Sequence, residues 1–193
     1  MTSELARLTG FLYEQGLLKR YRRTGWHIVG VGNPESIADH SFRTAVIATV
    51  LAAMEDADPE RAALLGLLHD TQETRLTDIP YVAKRYLAAA ANQDVTADQT
   101  RGLPEAVAKV VRGAVDEYEE RESTEALCAR DADKLECLIQ ALEYRAQGHQ
   151  NVQPWIDSSL AALQTSSAKA LADEALQEGC LEWLDRVMNG ERA

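Results

Sequence analysis

An all-α fold, a bundle of several helices, is what this 193-residue chain predicts, on three observations. Apolar residues recur three and four positions apart through most of the chain, the spacing that lines one face of a helix. The strict alternation of half-buried strands is almost absent. Hydrophobic residues make up 46% and charged residues 26%, a balance that excludes a disordered chain and supplies a sizeable core.

Each element has its own signal. Leu5, Leu8, Phe11, Leu12 and Leu18 predict a first amphipathic helix. The basic stretch KRYRRTGWHIVGVGNPES follows, and Gly25, Gly30, Gly32 and Pro34 argue against helix there. Ser36 with Asp39 reads as a capping box that opens a long helix running to Glu55. Asp58-Pro59 starts the next, and ERAALLGLLHD is apolar almost all round, which places it at the centre of the bundle. Pro80 makes the stretch after His69 a turn or broken helix around Asp78. Residues 91–102, polar and alanine-rich, predict a mobile loop or lid. Pro104 opens a helix through DEYEERES, and residues 123–147 form another, with Leu127, Leu135, Leu138, Ile139 and Leu142 on one face and Gly148 at its end. Segments 155–163 and 168–188 supply two more helices. Neither an internal repeat nor a composition break divides the chain, so 1–193 reads as one domain.

Charge and cysteine usage narrow the setting. Twenty Lys and Arg against 31 Asp and Glu give a net charge of −11, which opposes any broad grip on a nucleic acid polymer or an anionic membrane. Cys128, Cys137 and Cys180 are odd in number with no CxxC pair, so neither a disulfide framework nor a cysteine zinc site is expected. No run approaches the ~20 apolar residues that span a bilayer. The start, MTSELARLTGFLYEQG, is interrupted by Glu4 and Arg7, unlike a signal peptide. The expectation is a cytoplasmic protein.

Four histidines are present, and two sit where chemistry can be built. His40 lies near the start of the second long helix; His69 and Asp70 end the most apolar one; Asp133 lies early in another apolar helix. Imidazole nitrogen with carboxylate oxygen suits a borderline divalent cation, and three bundle helices can bring such ligands to one point. A histidine near a helix end is more often a satisfied cap than a ligand. The His69–Asp70 pair carries more weight, because a bare carboxylate beside LLGLL is costly without a compensating cation.

The strings S-I-A-D-H, L-L-H-D-T-Q-E-T-R-L-T-D-I-P and A-R-D-A-D-K-L-E resemble the HD-domain metal-dependent phosphohydrolases, in particular the 5′-deoxynucleotidase branch. The H…HD…D signature falls on His40, His69, Asp70 and Asp133; the branch pattern H-D-x-x-E-x-x-x-x-D falls on His69, Asp70, Glu73 and Asp78. R-T-G-W, at Arg23 to Trp26, resembles the same branch. The match spans about residues 5–148, with helices across 154–190 expected to pack on that motif-bearing part; after Gly148 no motif is usable.

The resemblance implies a cytoplasmic, homodimeric phosphomonoesterase that converts nucleoside 5′-monophosphates, deoxyribonucleotides in particular, to nucleoside and phosphate. It implies one divalent ion (manganese, cobalt, nickel, iron, zinc or magnesium) on His40, His69, Asp70 and Asp133. Catalysis would fall to Glu73 with Asp70, Glu73 orienting or deprotonating water. Arg23 would hold phosphate, Trp26 would lie beside the sugar, and Asp78 would accept from a sugar hydroxyl. Rival readings are an HD-type phosphodiesterase, a phosphatase for another small metabolite, and a non-catalytic regulatory protein that keeps the metal as a clamp.

Overall fold

The computed structural model describes residues 3–190, which contain no strand, only a single antiparallel bridge between Arg22 and Ser36. The helices are α1 (Glu4–Gln15), α2 (Ile37–Met54), α3 (Pro59–Leu68), α4 (Glu73–Leu76), α5 (Tyr81–Lys84), α6 (Asn92–Gln99), α7 (Glu105–Glu120), α8 (Thr124–Ala146), α9 (Gln153–Ala162), α10 (Ser166–Gln177) and α11 (Glu182–Met188). Tight 3-10 turns at Gly16–Lys19, Thr24–Val29 and Gln150–Val152 join some of them. The expected all-α class is the one observed.

Local chemistry sets the starts. The Ser36 hydroxyl accepts from Asp39 N at 3.1 Å and the Asp39 carboxylate accepts from Ser36 N at 2.8 Å, the reciprocal box that opens α2. The Asp58 carboxylate caps α3, with Pro59 in its first turn, and Ser123 caps α8. α2 packs on α3 and α8, and α3 on α8; α7 closes against α3 and α8, while α9 and α10 lie on α8. Leu51, Leu65, Leu135 and Leu138 are buried along this seam. At about 1.5–3 kcal/mol per buried leucine, the seam rather than the periphery fixes where the helices sit.

Gly66 lets α3 approach α2 closely: a Cβ there would lie 3.2 Å from Ala45 Cα and 3.3 Å from Ala48 Cβ. Both neighbours are stiff, so Gly66→Ala should destabilise the fold by about 1–3 kcal/mol. Thermal unfolding measures this; an unchanged Tm would show that α3 and α2 separate freely.

Two expectations need correction. Residues 91–102 hold a helix, α6, with Val95, Thr96, Gln99 and Thr100 buried. The Gln99 amide donates to Thr71 O and Thr74 Oγ1, partners distant in sequence that make a polar segment buriable. The expected helix over 168–188 is broken around Gly179 into α10 and α11, and Trp183 and Val187 of α11 stand exposed. The expected first helix is present as α1, though it buries no residue and leaves Leu5 and Leu12 of its apolar face exposed. No helix among the described residues is long and apolar enough to cross a membrane.

Candidate active site

His40 lies one turn into α2, His69 is the first residue beyond α3, and Asp133 sits inside α8. The three packed helices bring them together. The two Nε2 atoms are 3.3 Å apart. Asp133 Oδ1 is 3.3 Å from His40 Nε2 and 4.0 Å from His69 Nε2. Asp70 Oδ2 is 3.1 Å from His69 Nε2 and 3.8 Å from His40 Nε2. His40, His69 and Asp133 form one close cluster of potential ligand atoms, and Asp70, as near to both imidazoles, is shared with Arg23 at 3.5 Å.

The outer atoms explain why the inner ones converge. His40 Nδ1 donates to Glu136 Oε2 at 2.5 Å, and His69 Nδ1 donates to Gly66 O at 2.7 Å. With both Nδ1 atoms engaged as donors, both Nε2 atoms face one gap between two carboxylates, where each offers a lone pair when a cation takes the place of a proton. Such an arrangement requires a positive charge. Burial and Arg23 would lower the His40 pKa, yet Glu136 and Asp133 outweigh both and push it up to about 10. Burial would raise the Asp70 carboxyl, but His69, Arg23 and His40 hold it below its usual range. The donor set of two imidazoles and two ionised carboxylates fits a divalent cation.

Asp133 is steadied from its other side: Lys134 Nζ donates to Oδ2 at 2.8 Å, and the Tyr118 hydroxyl lies 3.5 Å from it. Glu136, one turn after Asp133, is fully buried and gripped by the Arg43 guanidinium through Nε at 3.0 Å and Nη2 at 2.9 Å. Glu136→Gln keeps the shape but removes the charge behind His40, so divalent-metal affinity should fall roughly 10–100-fold. Metal titration reads this directly, and wild-type affinity would deny Glu136 that role.

Glu73, the first residue of α4, is a largely buried carboxyl whose Oε2 has no hydrogen-bond partner among the described residues. Burial, then the charges of Asp70 and Asp78, push its pKa up to about 9. Thr77 precedes Asp78 with φ of +61° and ψ of 169°, a strained backbone for a β-branched residue. Asp78 Oδ2 accepts from Thr24 N at 2.6 Å and from the Thr24 hydroxyl at 2.5 Å, and its Oδ1 lies 3.5 Å from Arg23. Asp78 therefore anchors the turn that carries Arg23 and Trp26.

Trp26 is 2% exposed; its indole N–H donates to Glu35 at 3.0 Å and its ring stacks on Trp155. A cavity of about 220 Å³ is lined by Arg23, Trp26, Asp70, Glu73, Asp78 and Asp133, together with Lys134 and Trp155. A larger one, about 360 Å³, lies between α8 and the α10–α11 corner, lined by Ile139, Leu142 and Trp183. It holds none of the clustered histidines and carboxylates, so chemistry assigns the smaller cavity.

Sequence reasoning identified His40, His69, Asp70, Asp133, Glu73, Arg23, Trp26 and Asp78, and the structure brings them to one place. It missed Glu136, Arg43, Tyr118, Glu35 and Trp155. Glu136 had a signal, one helical turn from Asp133 on an apolar helix; the others had none. Asp131, two residues before Asp133, has a structural role: its carboxylate accepts from the backbone of Gln164 and Thr165, tying the α9–α10 corner to α8.

The HD domain model matches residues 15–175, and the chain belongs to the HD-domain family, a family of metal-dependent hydrolases. Among its relatives, the chain is 34% identical to human 5′-deoxynucleotidase HDDC2 over 160 residues, 79% of this chain and 76% of that one. It is 30% identical to Dictyostelium discoideum 5′-deoxynucleotidase HDDC2 over 171 residues, 81% and 90% of the two chains. A conserved hypothetical protein from Pyrococcus furiosus superposes with a TM-score of 0.72 at 30% identity, covering 88% of this chain and 99% of that one. The HD phosphohydrolase DatZ of cyanophage S-2L, solved with dA and one catalytic Zn²⁺, shares the fold at a TM-score of 0.52 and 18% identity, over 85% and 91% of the chains.

Proposed function

We propose that the protein is a metal-dependent 5′-nucleotidase that hydrolyses nucleoside 5′-monophosphates, with a preference for deoxyribonucleotides. One observation carries the reading: the buried His40 and His69 Nε2 atoms converge on Asp70 and Asp133, two carboxylates that line a cavity together with Arg23 and the unpartnered Glu73 carboxyl. The names of the 5′-deoxynucleotidase relatives support the substrate class.

In this reading His40, His69, Asp70 and Asp133 would hold one divalent cation, which would supply charge neutralisation for phosphate oxygens and a lowered pKa for water. Arg23 orients the phosphate, sharing its guanidinium with Asp70 and Asp78. Glu73, drawn back towards ionisation by a nearby divalent charge, takes a proton from water as its oxygen bonds to phosphorus. The P–O5′ bond breaks, and Glu73 returns that proton to the 5′-oxygen, leaving nucleoside and inorganic phosphate. Asp78 Oδ1 accepts from a sugar hydroxyl while Oδ2 keeps Thr24.

Trp26, immobilised by Glu35 and Trp155, serves as a rigid wall beside the sugar. Exclusion by shape is worth ~1–3 kcal/mol, so deoxy- over ribonucleotide preference should be roughly 10–200-fold. The test is phosphate release from deoxy- and ribo-monophosphates sharing one base, with several divalent metals, for wild type and Trp26→Ala. Release with no preference, or a ratio unmoved by Trp26→Ala, defeats the deoxynucleotide assignment. No release from any nucleotide, with activity on other phosphate esters, defeats the nucleotidase reading.

Residues 1–193 act in this proposal as one domain in the cytoplasm, whose reducing interior suits three free cysteines. They act as a homodimer, which the exposed apolar row Phe42, Val46, Val50 and Met54 along α2 supports.

A further inference from the structure

We propose that Trp155 determines substrate specificity: its indole is the platform on which the nucleobase of the substrate lies. This rests on the nucleotidase reading above. A phosphate held by Arg23 and the clustered carboxylates leaves its nucleoside against the remaining wall of the same cavity, and the aromatic faces lining that cavity are Trp26, Tyr81 and Trp155. Trp26 is closed to a ligand on most sides: it is 2% exposed, bonded through its N–H to Glu35, and set edge-on to Tyr144 at 5.1 Å. Tyr81, 88% exposed on the short helix α5, stands in solvent and offers no fixed surface.

Trp155 is both held and accessible. It sits in the first turn of α9 behind Pro154, half-buried, and stacks on Trp26 with ring centroids 5.7 Å apart and planes 27° apart. A platform backed by a buried, hydrogen-bonded indole is already ordered before a ligand arrives, so little side-chain entropy is lost on binding. Its N–H edge faces Gly25, where an added Cβ would lie 3.4 Å from Nε1. Glycine keeps the wall beside that edge bare, and no acceptor among the described residues engages the indole N–H.

The experiment compares two substrates of the metal-loaded, full-length protein: a deoxynucleoside 5′-monophosphate and 2-deoxyribose 5-phosphate, which lacks the base. Trp155→Leu retains apolar bulk against Trp26 without an aromatic face; Trp155→Phe retains the face. Trp155→Leu should lower kcat/KM for the nucleotide roughly 10- to 100-fold, the range stacking supplies, mainly through KM. It should lower kcat/KM for the sugar phosphate far less, since there only the backing of Trp26 is loosened, and Trp155→Phe should restore most of the loss on the nucleotide. An equal fall on both substrates marks a structural role and overturns the proposal, as does no change on either.

Binding is read separately from turnover, by the Tm shift that excess deoxynucleoside produces. Trp155→Leu should abolish the shift and Trp155→Phe retain it. A wild type that hydrolyses neither substrate but shows this pattern defeats the nucleotidase reading and leaves the platform standing. A wild type with no shift, or a shift unmoved in Trp155→Leu, overturns the platform itself.

Discussion

Asp70→Ala is expected to strip the protein of its divalent metal and to abolish phosphate release. The carboxylate lies 3.1 Å from His69 Nε2 and faces Arg23, so its loss removes one of two anionic donors and leaves the guanidinium turned towards the cation position. Two neutral imidazoles and a single carboxylate beside that guanidinium hold a divalent ion weakly. Metal content after gel filtration is the measurement. A variant retaining metal at wild-type stoichiometry would remove Asp70 from the ligand set. Chelation of the wild type should produce the same loss of activity, reversed by adding a divalent ion, and it should lower Tm because a ligand that binds only the folded state stabilises it.

Glu73→Gln should leave metal content and KM near wild type while lowering kcat by ~10²–10⁴, the span of a lost general acid/base. Its pH dependence gives an independent reading. Burial, Asp70 and Asp78 raise the Glu73 pKa, to about 9 without a cation, so the ionised base appears only as pH rises. Wild-type kcat should therefore climb from acid to alkaline pH, with a midpoint below 9 once the cation is bound, and Glu73→Gln should lose that limb. Stability moves the other way. Because the folded pKa lies above the unfolded one, the wild type loses stability as pH rises through it, whereas the neutral glutamine does not. Glu73→Gln should thus gain Tm relative to wild type at alkaline pH. Near-normal turnover with an unchanged pH profile would return Glu73 to an ordinary buried acid.

Much of the fold was legible because its signals are local. The Ser36–Asp39 box and Asp58-Pro59 set helix starts through contacts within four residues, and the same caps appear in the structure. The candidate site was legible for a different reason: His40, His69, Asp70, Glu73, Asp78 and Asp133 fall in motifs that resemble those of the HD-domain phosphohydrolases, and the residue types are ones that suit a cation. Periodicity failed where stability comes from partners distant in the chain. Residues 92–99 read as a loop because Gln99 finds its acceptors on Thr71 and Thr74, and the break at Gly179 lies inside an apolar pattern that looked continuous.

By itself, then, the sequence determined the all-α class and the main helix boundaries, since these depend on residue type and short-range spacing. The candidate ligands His40, His69, Asp70 and Asp133 were legible through the resemblance of their motifs to the HD family. Only the tertiary structure decided how those residues are oriented and what stands around them. Glu136 reaches His40 across 96 positions, Asp78 holds Thr24 across 54, and Trp155 comes to Trp26 from a segment that carries no motif. Such contacts follow from how α2, α8 and α9 pack, because side chains far apart in the chain become neighbours only when buried surfaces bring their helices together.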